Sequence, residues 1–459
     1  MGQPRIVVAT HRGPFRFTQE SDGTFSAHQG AGGVVSALGP LLRDHSEEVR
    51  WVAAAITDDD RAAIHAGAAQ ADGVDLDLLD LDPNVHRMHY ELVSNGVLWF
   101  LHHGLFDLVR RPRFDARFRE AWDAYCDVNR TFATSIAAAA DDDDIVLVQD
   151  YQLCMVPQYL RAERPDLRVV HFTHIPFCGP NSIRVLPDDV SRALCGSLAS
   201  APAGFHTARW GRAFEASTRE VLGNDTAAPW FAASLGPDLP SLENVAASPE
   251  ARASAAQLED EVGDCFVVLR TDRVEPSKNI VRGFLAYERL LETRPDLLGR
   301  VVFVAMLYMS REGLPEYLAY GNEVEQAIAR VNDRFGRDGW TPIILDLRDD
   351  FARSVAGLQR YDVLLVNPLK DGLNLVAKEG PLLNQRNGVV CLSPEAGAYD
   401  ELGPAVERIH PYDIEQGAAA LGTALSVTPE ERAERANRLR ALAGARTPAD
   451  WLRDLLAHA

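Results

Sequence analysis

The chain has 459 residues, 46% of them hydrophobic and 24% charged, which indicates a soluble globular protein of two or three domains. Its 46 basic and 66 acidic residues give a net charge of −20, which argues against nucleic acid or an anionic membrane surface as the main partner. The six cysteines include no Cys-x-x-Cys pair, the N-terminus reads as a strand and not as a signal peptide, and no apolar run approaches the roughly 20 residues of a membrane span. The sequence therefore predicts a cytoplasmic protein with neither a zinc site nor a disulfide framework.

Short apolar runs alternate with longer amphipathic segments along most of the chain. Helices are predicted between them, for example at Gly33–Asp44 and Arg117–Ala140. This alternation predicts an α/β protein whose mostly parallel sheets are covered on both faces. The predicted strands are Arg5–Ala9, Val49–Ile56, Val97–His102, Asp144–Gln149, Leu167–His174, Cys265–Arg270, Arg300–Leu307, Pro342–Leu347, Val363–Asn367 and Gly388–Leu392.

A break in this pattern falls at about residues 235–263, which are rich in proline, alanine and serine. We therefore predict two doubly wound domains, residues 1–238 and 239–445. Residues 446–459 are predicted to form a terminal helix. Its Trp451 either packs locally or returns to the N-terminal domain.

The stretch Leu369–Glu379 follows a predicted strand and leads into a predicted helix. The free N–H groups and positive dipole end of such a helix bind anions. Gly372 permits a close turn, and the carboxylates of Asp371 and Glu379 are suited to sugar hydroxyls. An ordinary strand–turn–helix remains the alternative.

Two cations, Arg273 and Lys278, lie just past another strand and ahead of a helix. Arginine offers planar donors and lysine a point charge, which together suit a pyrophosphate. Solvated surface charges are the alternative interpretation.

The N-terminal half offers further candidates at strand ends. The first strand ends at Thr10–Pro14, and a predicted loop, Phe15–Gln29, leads to the glycines of Gly30–Gly33, where backbone could approach a phosphate or sugar. Asp150 and His174 end two other strands and could share a pocket. A structural loop and a buried, satisfied histidine are the competing interpretations.

Two Asp-x-Asp pairs, Asp75/Asp77 and Asp80/Asp82, raise the question of a metal site. Their alternation with leucine favours an exposed edge strand instead. No metal site is predicted.

Taken in order, these motifs resemble the trehalose-6-phosphate synthase family of retaining glucosyltransferases. The resemblance implies the GT-B fold, with two doubly wound Rossmann-like domains and the active site in the cleft between them. The matching segments are Val7–Arg12, Gly32-Gly33, Tyr90, Ser94–Trp99, Asp150-Tyr151, His174–Phe177, Asp272-Arg273, Ser277-Lys278, Ser310-Arg311, Gly339–Pro342, Asp371–Glu379 and Ser393–Ala398.

The resemblance also implies a role for each matching residue. Arg273 and Lys278 would hold the donor pyrophosphate, assisted by backbone near Asn374 and Leu375, while Glu379 would bind the ribose. Asp371 and His174 would hold hydroxyls of the transferred glucose, Gly33 would close over the phosphates, and Asp150 would position sugar hydroxyls. The acceptor pocket would comprise Arg12, Tyr90, Trp99 and Arg311.

The implied reaction is front-face transfer of glucose to glucose 6-phosphate with retention, giving α,α-trehalose 6-phosphate. It needs neither a cofactor nor a metal, and the chain is compatible with a homo-oligomer. The family's His-Asp-Tyr-His is Gln149–Gln152 here, and its Arg-Leu-Asp-Tyr-x-Lys-Gly is Arg273–Asn279. A similar Pro-x-Lys-Asn ending occurs in validoxylamine-phosphate synthase, a pseudo-glycosyltransferase. This similarity favours GDP-glucose over UDP-glucose and leaves two alternatives open: coupling of a GDP-cyclitol to an aminocyclitol phosphate, and an inactive sugar-phosphate sensor.

Overall fold

The computed structural model describes residues 5–29, 38, 49–70, 74–311 and 313–459. The chain divides into two compact units. Unit 1 comprises Met1–Leu235 and Pro448–Ala459, and unit 2 comprises Gly236–Thr447.

Unit 1 contains a parallel sheet of seven strands among its described residues, in the order β5-β4-β1-β6-β7-β8-β9. Two further strands, β2 and β3, form an antiparallel hairpin. The chain order of the sheet reverses between β1 and β6, which is the switch point of a doubly wound fold. The strands are β1 (Ile6–Arg12), β2 (Phe15–Gln19), β3 (Phe25–Gln29), β4 (Val49–Ala54), β5 (Asp75–Leu79), β6 (Ile145–Gln149), β7 (Arg168–Thr173), β8 (Ala203–Phe205) and β9 (Trp230–Ala232).

The long helix of unit 1 shows how the core is built. Asp115 caps its N-terminus by accepting a hydrogen bond from the Phe118 N–H. Its apolar side chains Val128, Phe132 and Ile136 recur at helical spacing and pack against the buried strands. The helices described in unit 1 are α1 (Asp58–His65), α2 (Pro83–Arg87), a π-helix (Met88–Trp99), α3 (Phe100–His103), α4 (Ala116–Ala139), α5 (Val156–Glu163), α6 (Pro180–Ile183), α7 (Asp188–Leu198) and α8 (Ala208–Leu222), with a 3₁₀ turn at Tyr151–Leu153.

Two predictions for this unit are wrong. Val97–His102 is not a strand but part of the π-helix and α3, because a short, wholly buried apolar run does not distinguish a strand from a helix. Phe15–Gln29 is not a loop but the β2–β3 hairpin, closed by a turn in which Gly23 has φ of 85°. The predicted helix Gly33–Asp44 lies, apart from residue 38, outside the described residues.

Unit 2 has a six-stranded parallel sheet in the order β12-β11-β10-β13-β14-β15. Numbered along the unit, this is the 3-2-1-4-5-6 order of a Rossmann fold, with its switch point between β10 and β13. The strands are β10 (Phe266–Val274), β11 (Val301–Met309), β12 (Ile343–Leu347), β13 (Val363–Val366), β14 (Val389–Leu392) and β15 (Glu407–Arg408).

Helices cover the sheet of unit 2, and its core joins the sheet to Phe284, Tyr287 and Leu421. No helix among the described residues of either unit is long and apolar enough to cross a membrane. The helices are α9 (Leu239–Ala246), α10 (Pro249–Val262), α11 (Ile280–Thr293), α12 (Pro315–Phe335), α13 (Phe351–Arg360), α14 (Val376–Leu383), α15 (Tyr399–Leu402), α16 (Ile414–Ser426) and α17 (Pro429–Ala443), with 3₁₀ turns at Pro276–Lys278, Pro295–Leu297 and Gly403–Ala405.

The last helix, α18 (Pro448–Ala457), belongs to unit 1. Trp451 is fully buried, with its ring 5.2 Å from that of Phe172 and 5.8 Å from that of His174. His458 stacks on Phe231 with ring centroids 4.0 Å apart. The terminal helix therefore packs directly behind a candidate site residue.

Candidate active site

The switch point of unit 2 gathers the predicted donor residues. Arg273 lies at the carboxyl end of β10, Lys278 follows it in a 3₁₀ turn, and Asp371 lies five residues beyond β13. Because β10 and β13 are adjacent and parallel, their carboxyl ends meet at one edge of the sheet, where open α/β sheets bind ligands.

Lys278 forms the central ion pair of this group. Its Nζ is 2.7 Å from Asp371 Oδ2 and 3.7 Å from Asp272 Oδ1. Burial alone would lower the pKa of Lys278, but the carboxylates of Asp371 and Asp272 outweigh it and the net pKa is raised. Lys278 therefore remains a fixed cation at the switch point.

A fully buried arginine holds this cation in place. Arg270 Nε is 2.9 Å from Asp272 Oδ2, and its Nη2 donates to Asn367 Oδ1 at 2.6 Å and to the Lys278 carbonyl at 2.7 Å. Arg270 thus joins the ends of β10 and β13 to the turn that carries Lys278.

The second cation, Arg273, pairs with a buried carboxylate. Arg273 Nε is 3.1 Å from Glu275 Oε1, and Glu275 also accepts hydrogen bonds from Ser310 Oγ at 3.3 Å and Ser277 Oγ at 3.5 Å. Arg311 Nη1 lies 3.9 Å from the same Glu275 oxygen. Arg311 is therefore grouped with Arg273 inside unit 2.

The departure at Asn279 has a conformational explanation. Its backbone lies in the left-handed region, with φ of 60°, which glycine adopts freely and asparagine tolerates better than most residues. Its Nδ2 donates to the carbonyls of Asn367 at 3.0 Å and Pro411 at 2.6 Å. Asparagine thus fits the position of the family's glycine and adds two buried hydrogen bonds.

The start of α14 is tied to the same cluster. Asn374 Nδ2 donates at 3.1 Å to Asp371 Oδ2, the oxygen that pairs with Lys278, and Asn374 Oδ1 accepts from the Ala377 N–H. Leu375 is the residue that precedes the helix. Glu379 lies in the first turn, and burial raises its pKa to about 7.

The turn that resembles the family's Ser-x-x-Ala-Gly-Ala supports this loop. The Gly397 N–H donates to the Asp371 carbonyl at 3.1 Å, and the Ala398 N–H donates to the Leu373 carbonyl at 2.7 Å. A Cβ atom at residue 397 would lie 2.0 Å from the Gly372 carbonyl oxygen, so only glycine fits.

At the switch point of unit 1, the structure brings Asp150 and His174 together. Asp150 follows β6 with φ of 71°, a backbone conformation that is costly for a residue with a side chain. Its Oδ1 accepts from the His174 N–H at 3.1 Å, and its carbonyl lies 3.1 Å from His171 Nε2. A carboxylate and an imidazole thus share this strand edge.

Both ring nitrogens of His174 have protein partners. Nε2 lies 2.9 Å from Gln149 Oε1, which can only accept, and Nδ1 lies 3.2 Å from His206 Nε2. Burial, with smaller contributions from His206 and His171, holds the pKa of His174 well below its usual value. The ring is therefore neutral, its Nε2 donates to Gln149, and its Nδ1 accepts from His206.

The predicted acceptor residues of unit 1 come from β1 and the π-helix. Arg12 Nη2 lies 3.3 Å from the Tyr90 hydroxyl, and Trp99 is buried nine residues further along the π-helix, stacked on His103. A Cβ atom at Gly96 would approach the Glu91 carbonyl oxygen to 2.9 Å, so glycine relieves crowding in this wide helix.

Not every predicted site residue can be compared in this way. Gly33 and the preceding glycines lie outside the described residues. Arg311, predicted with Arg12, Tyr90 and Trp99, belongs to unit 2, whereas the other three belong to unit 1.

Each residue of the two Asp-x-Asp pairs has a protein partner. Asp75 lies 3.6 Å from Arg50, Asp77 accepts from Ser135, Asp80 lies 2.8 Å from His65, and Asp82 caps α2. Among the described residues, no group of three or more His, Cys, Asp or Glu side chains is arranged to hold a metal ion.

The sequence gave no role to several side chains that the structure places beside the candidates. Gln149 and His206 hold the His174 ring, Arg270 holds the turn of Lys278, and His11 and His86 lie beside Tyr90. Only Gln149 carried a signal, as a departure from the family motif.

Two Rossmann-like domains with polar side chains at both switch points define an α/β protein of the GT-B class. A family model described as glycosyltransferase family 20 matches residues 4–459. The chain belongs to this family of glycosyltransferases, as the resemblance in its sequence implied.

Individual relatives agree with this assignment. The chain is 31% identical over 464 residues to "Alpha,alpha-trehalose-phosphate synthase [UDP-forming] A" of Dictyostelium discoideum, covering 97% of this chain but only 61% of that protein. It is also 31% identical to "Trehalose-6-phosphate synthase" of Mycolicibacterium smegmatis, covering 99% of this chain and 92% of the relative. A crystal structure of an α,α-trehalose-phosphate synthase (UDP-forming) from Burkholderia vietnamiensis superposes with a TM-score of 0.85 at 28% identity, covering 99% and 100% of the two chains.

Proposed function

We propose that this chain transfers glucose from a nucleotide-glucose to glucose 6-phosphate with retention, forming α,α-trehalose 6-phosphate. The observation that carries the proposal is the connected cluster of Arg273, Lys278, Asp371 and Asn374 at the switch point of unit 2, together with the first turn of α14. Fixed cations beside a helix N-terminus are what a nucleotide diphosphate requires. The names of the relatives supply the sugar chemistry.

On the donor side, Arg273 and Lys278 bind the pyrophosphate by replacing part of their pairing to Glu275 and Asp371. Asp371, once released, accepts from a glucose hydroxyl. Glu379 binds the ribose hydroxyls, and backbone N–H groups near Asn374 and Leu375 add donors.

On the acceptor side, Arg12 and Tyr90 bind the phosphate of glucose 6-phosphate, assisted by Trp99 and by Arg311. Asp150 orients sugar hydroxyls. His174 contacts the donor glucose only if one of its two present hydrogen bonds opens, which makes Gln149 and His206 part of that step.

The reaction breaks the bond between the anomeric carbon and the β-phosphate oxygen, and the acceptor hydroxyl attacks from the same face. The hydroxyl proton passes to the departing phosphate oxygen. Arg273 and Lys278 stabilise the charge that develops there, so catalysis consists mainly of positioning and electrostatic stabilisation. We infer that these side chains make a divalent metal ion unnecessary.

For the donor base, we propose uridine. Two of the relatives above carry "UDP-forming" in their names. The preference for GDP-glucose that the sequence suggested rested on the Arg273–Asn279 segment and finds no support among these relatives.

The test is a matrix of nucleotide release and product analysis. It pairs UDP-glucose and GDP-glucose with glucose 6-phosphate, glycerol 3-phosphate and no acceptor, each with Mg²⁺ or with a chelator. We expect UDP release that requires glucose 6-phosphate, an α,α-linked product by NMR, and no effect of the chelator. Silence with every pair, in protein that still binds nucleotide, would overturn the proposal in favour of pseudo-sugar coupling or sensing.

A further inference from the structure

Beside the proposed acceptor-phosphate residues lies a column of parallel rings from His86, His11 and Tyr90. The His11 and Tyr90 rings are 4.5 Å apart with an interplanar angle of 5°, and the His11 and His86 rings are 5.1 Å apart at 9°. His11 Nε2 and His86 Nε2 are 2.8 Å apart, which is a hydrogen bond.

The local backbone explains how these rings meet. The register of β1 against β4 shifts between Thr10 and Arg12, and such a bulge re-aims the side chain at its centre, here His11. Thr10 Oγ1 fixes the bulge by donating to the Arg12 carbonyl at 2.6 Å and accepting from Trp51 Nε1. His86, near the end of α2, lies four residues before Tyr90 and so shares its face.

The hydrogen bond requires one donor and one acceptor nitrogen, so at least one of the two imidazoles is neutral. Burial lowers the pKa of His11 well below its usual value and also lowers that of His86; His89, Arg12 and Arg61 contribute further positive charge. The pair is thus neutral in both rings, and one ring donates to the other.

We propose that His11 and His86 are positioning residues of the acceptor-phosphate site. Their hydrogen-bonded pair supports one face of the Tyr90 ring, and the Tyr90 hydroxyl in turn lies 3.3 Å from Arg12 Nη2. Without the pair, Tyr90 gains rotamer freedom and the two phosphate-binding groups lose their fixed spacing. The inference rests on the proposed function, because that function makes Arg12 and Tyr90 an acceptor site.

The test compares His86→Leu, His86→Gln, His11→Asn and the double variant His11→Asn/His86→Leu with the wild-type protein. His65→Leu is the matched control, since His65 is an exposed histidine that pairs with Asp80. We expect His86→Leu and His11→Asn each to raise the KM for glucose 6-phosphate about tenfold, with kcat and the KM for the donor within about twofold. The double variant should be no worse than either single one, and His86→Gln should recover most of the loss because its amide can bond to His11.

Calorimetric binding of glucose 6-phosphate makes the same comparison without turnover and in each folded variant. An acceptor KM and affinity that stay at the wild-type values in His86→Leu would overturn the inference, as would equal losses for donor and acceptor. A wild-type protein that neither turns over nor binds glucose 6-phosphate would overturn the proposed function and, with it, this role.

Discussion

Replacing Lys278 by methionine keeps much of the length of the side chain but removes its charge. Asp371 then retains the hydrogen bond from Asn374 Nδ2 but loses a cation 2.7 Å away, while Asp272 keeps Arg270 at 2.9 Å. Removing one partner of a buried pair costs about 3–5 kcal/mol when the remaining charge is isolated. Since Asp371 is 17% exposed and keeps its amide partner, we expect a loss of about 1–3 kcal/mol in the free energy of unfolding.

The effect on turnover should be larger. If Lys278 stabilises charge on the departing nucleotide, its loss should lower kcat by about 10²–10³-fold, or roughly 3–4 kcal/mol in the activation free energy. The assay is steady-state nucleotide release with both substrates varied, alongside chemical denaturation. Lys278→Met/Asp371→Asn should recover stability, because no carboxylate is stranded, but not activity.

The chain offers a second readout, because it contains only three lysines, Lys278, Lys370 and Lys378. Amine acylation followed by mass spectrometry should modify Lys278 and the partly exposed Lys370, but not the fully buried Lys378. UDP should protect Lys278 alone, and Lys370→Met is the matched control for turnover. A Lys278→Met variant with wild-type kcat, or a Lys278 that UDP fails to protect, would refute the assignment.

Two further predictions concern the same unit. Because burial raises the pKa of Glu379 to about 7, the affinity for UDP-glucose should rise about tenfold between pH 6 and pH 8 as the carboxyl group ionises. In Glu379→Gln the affinity should be lower and independent of pH by calorimetry, and a flat wild-type profile would contradict the ribose assignment. Asn279→Ala should lower the free energy of unfolding by about 2–4 kcal/mol and Asn279→Gly by about 1–2 kcal/mol, since only glycine avoids the cost of the left-handed backbone. Denaturation curves measure this difference, and equal losses in the two variants would show that backbone strain contributes nothing.

The parallel strands were predictable because a strand buried on both faces is a continuous apolar run, as in β6 and β13. The same property made Val97–His102 misleading, since those residues are equally apolar but belong to buried helices. The hairpin of Phe15–Gln29 was missed although Asp22-Gly23 is a turn signal, because its strands are short and polar.

The site was predictable as far as strand ends determine it. Arg273, Lys278 and Asp371 follow strands that a doubly wound sheet places side by side, so their proximity follows from topology. The contact between His11 and His86, 75 residues apart, depends on a β-bulge and on where α2 docks, and no pattern in the sequence encodes either. Single histidines therefore carried no signal until the fold placed them together.

The segment Arg273–Asn279 shows how a departure from a family pattern can leave the chemistry in place. Asn279 takes the left-handed conformation that explains glycine in the pattern, and Glu275 supplies the buried carboxylate for Arg273. Neither exchange moves Lys278 from Asp371. Since these differences are explained by backbone conformation and by contacts within unit 2, they give no information on the nucleotide base. The choice between uridine and guanosine must then be made by side chains outside the segment, which is why both bases belong in the same activity matrix.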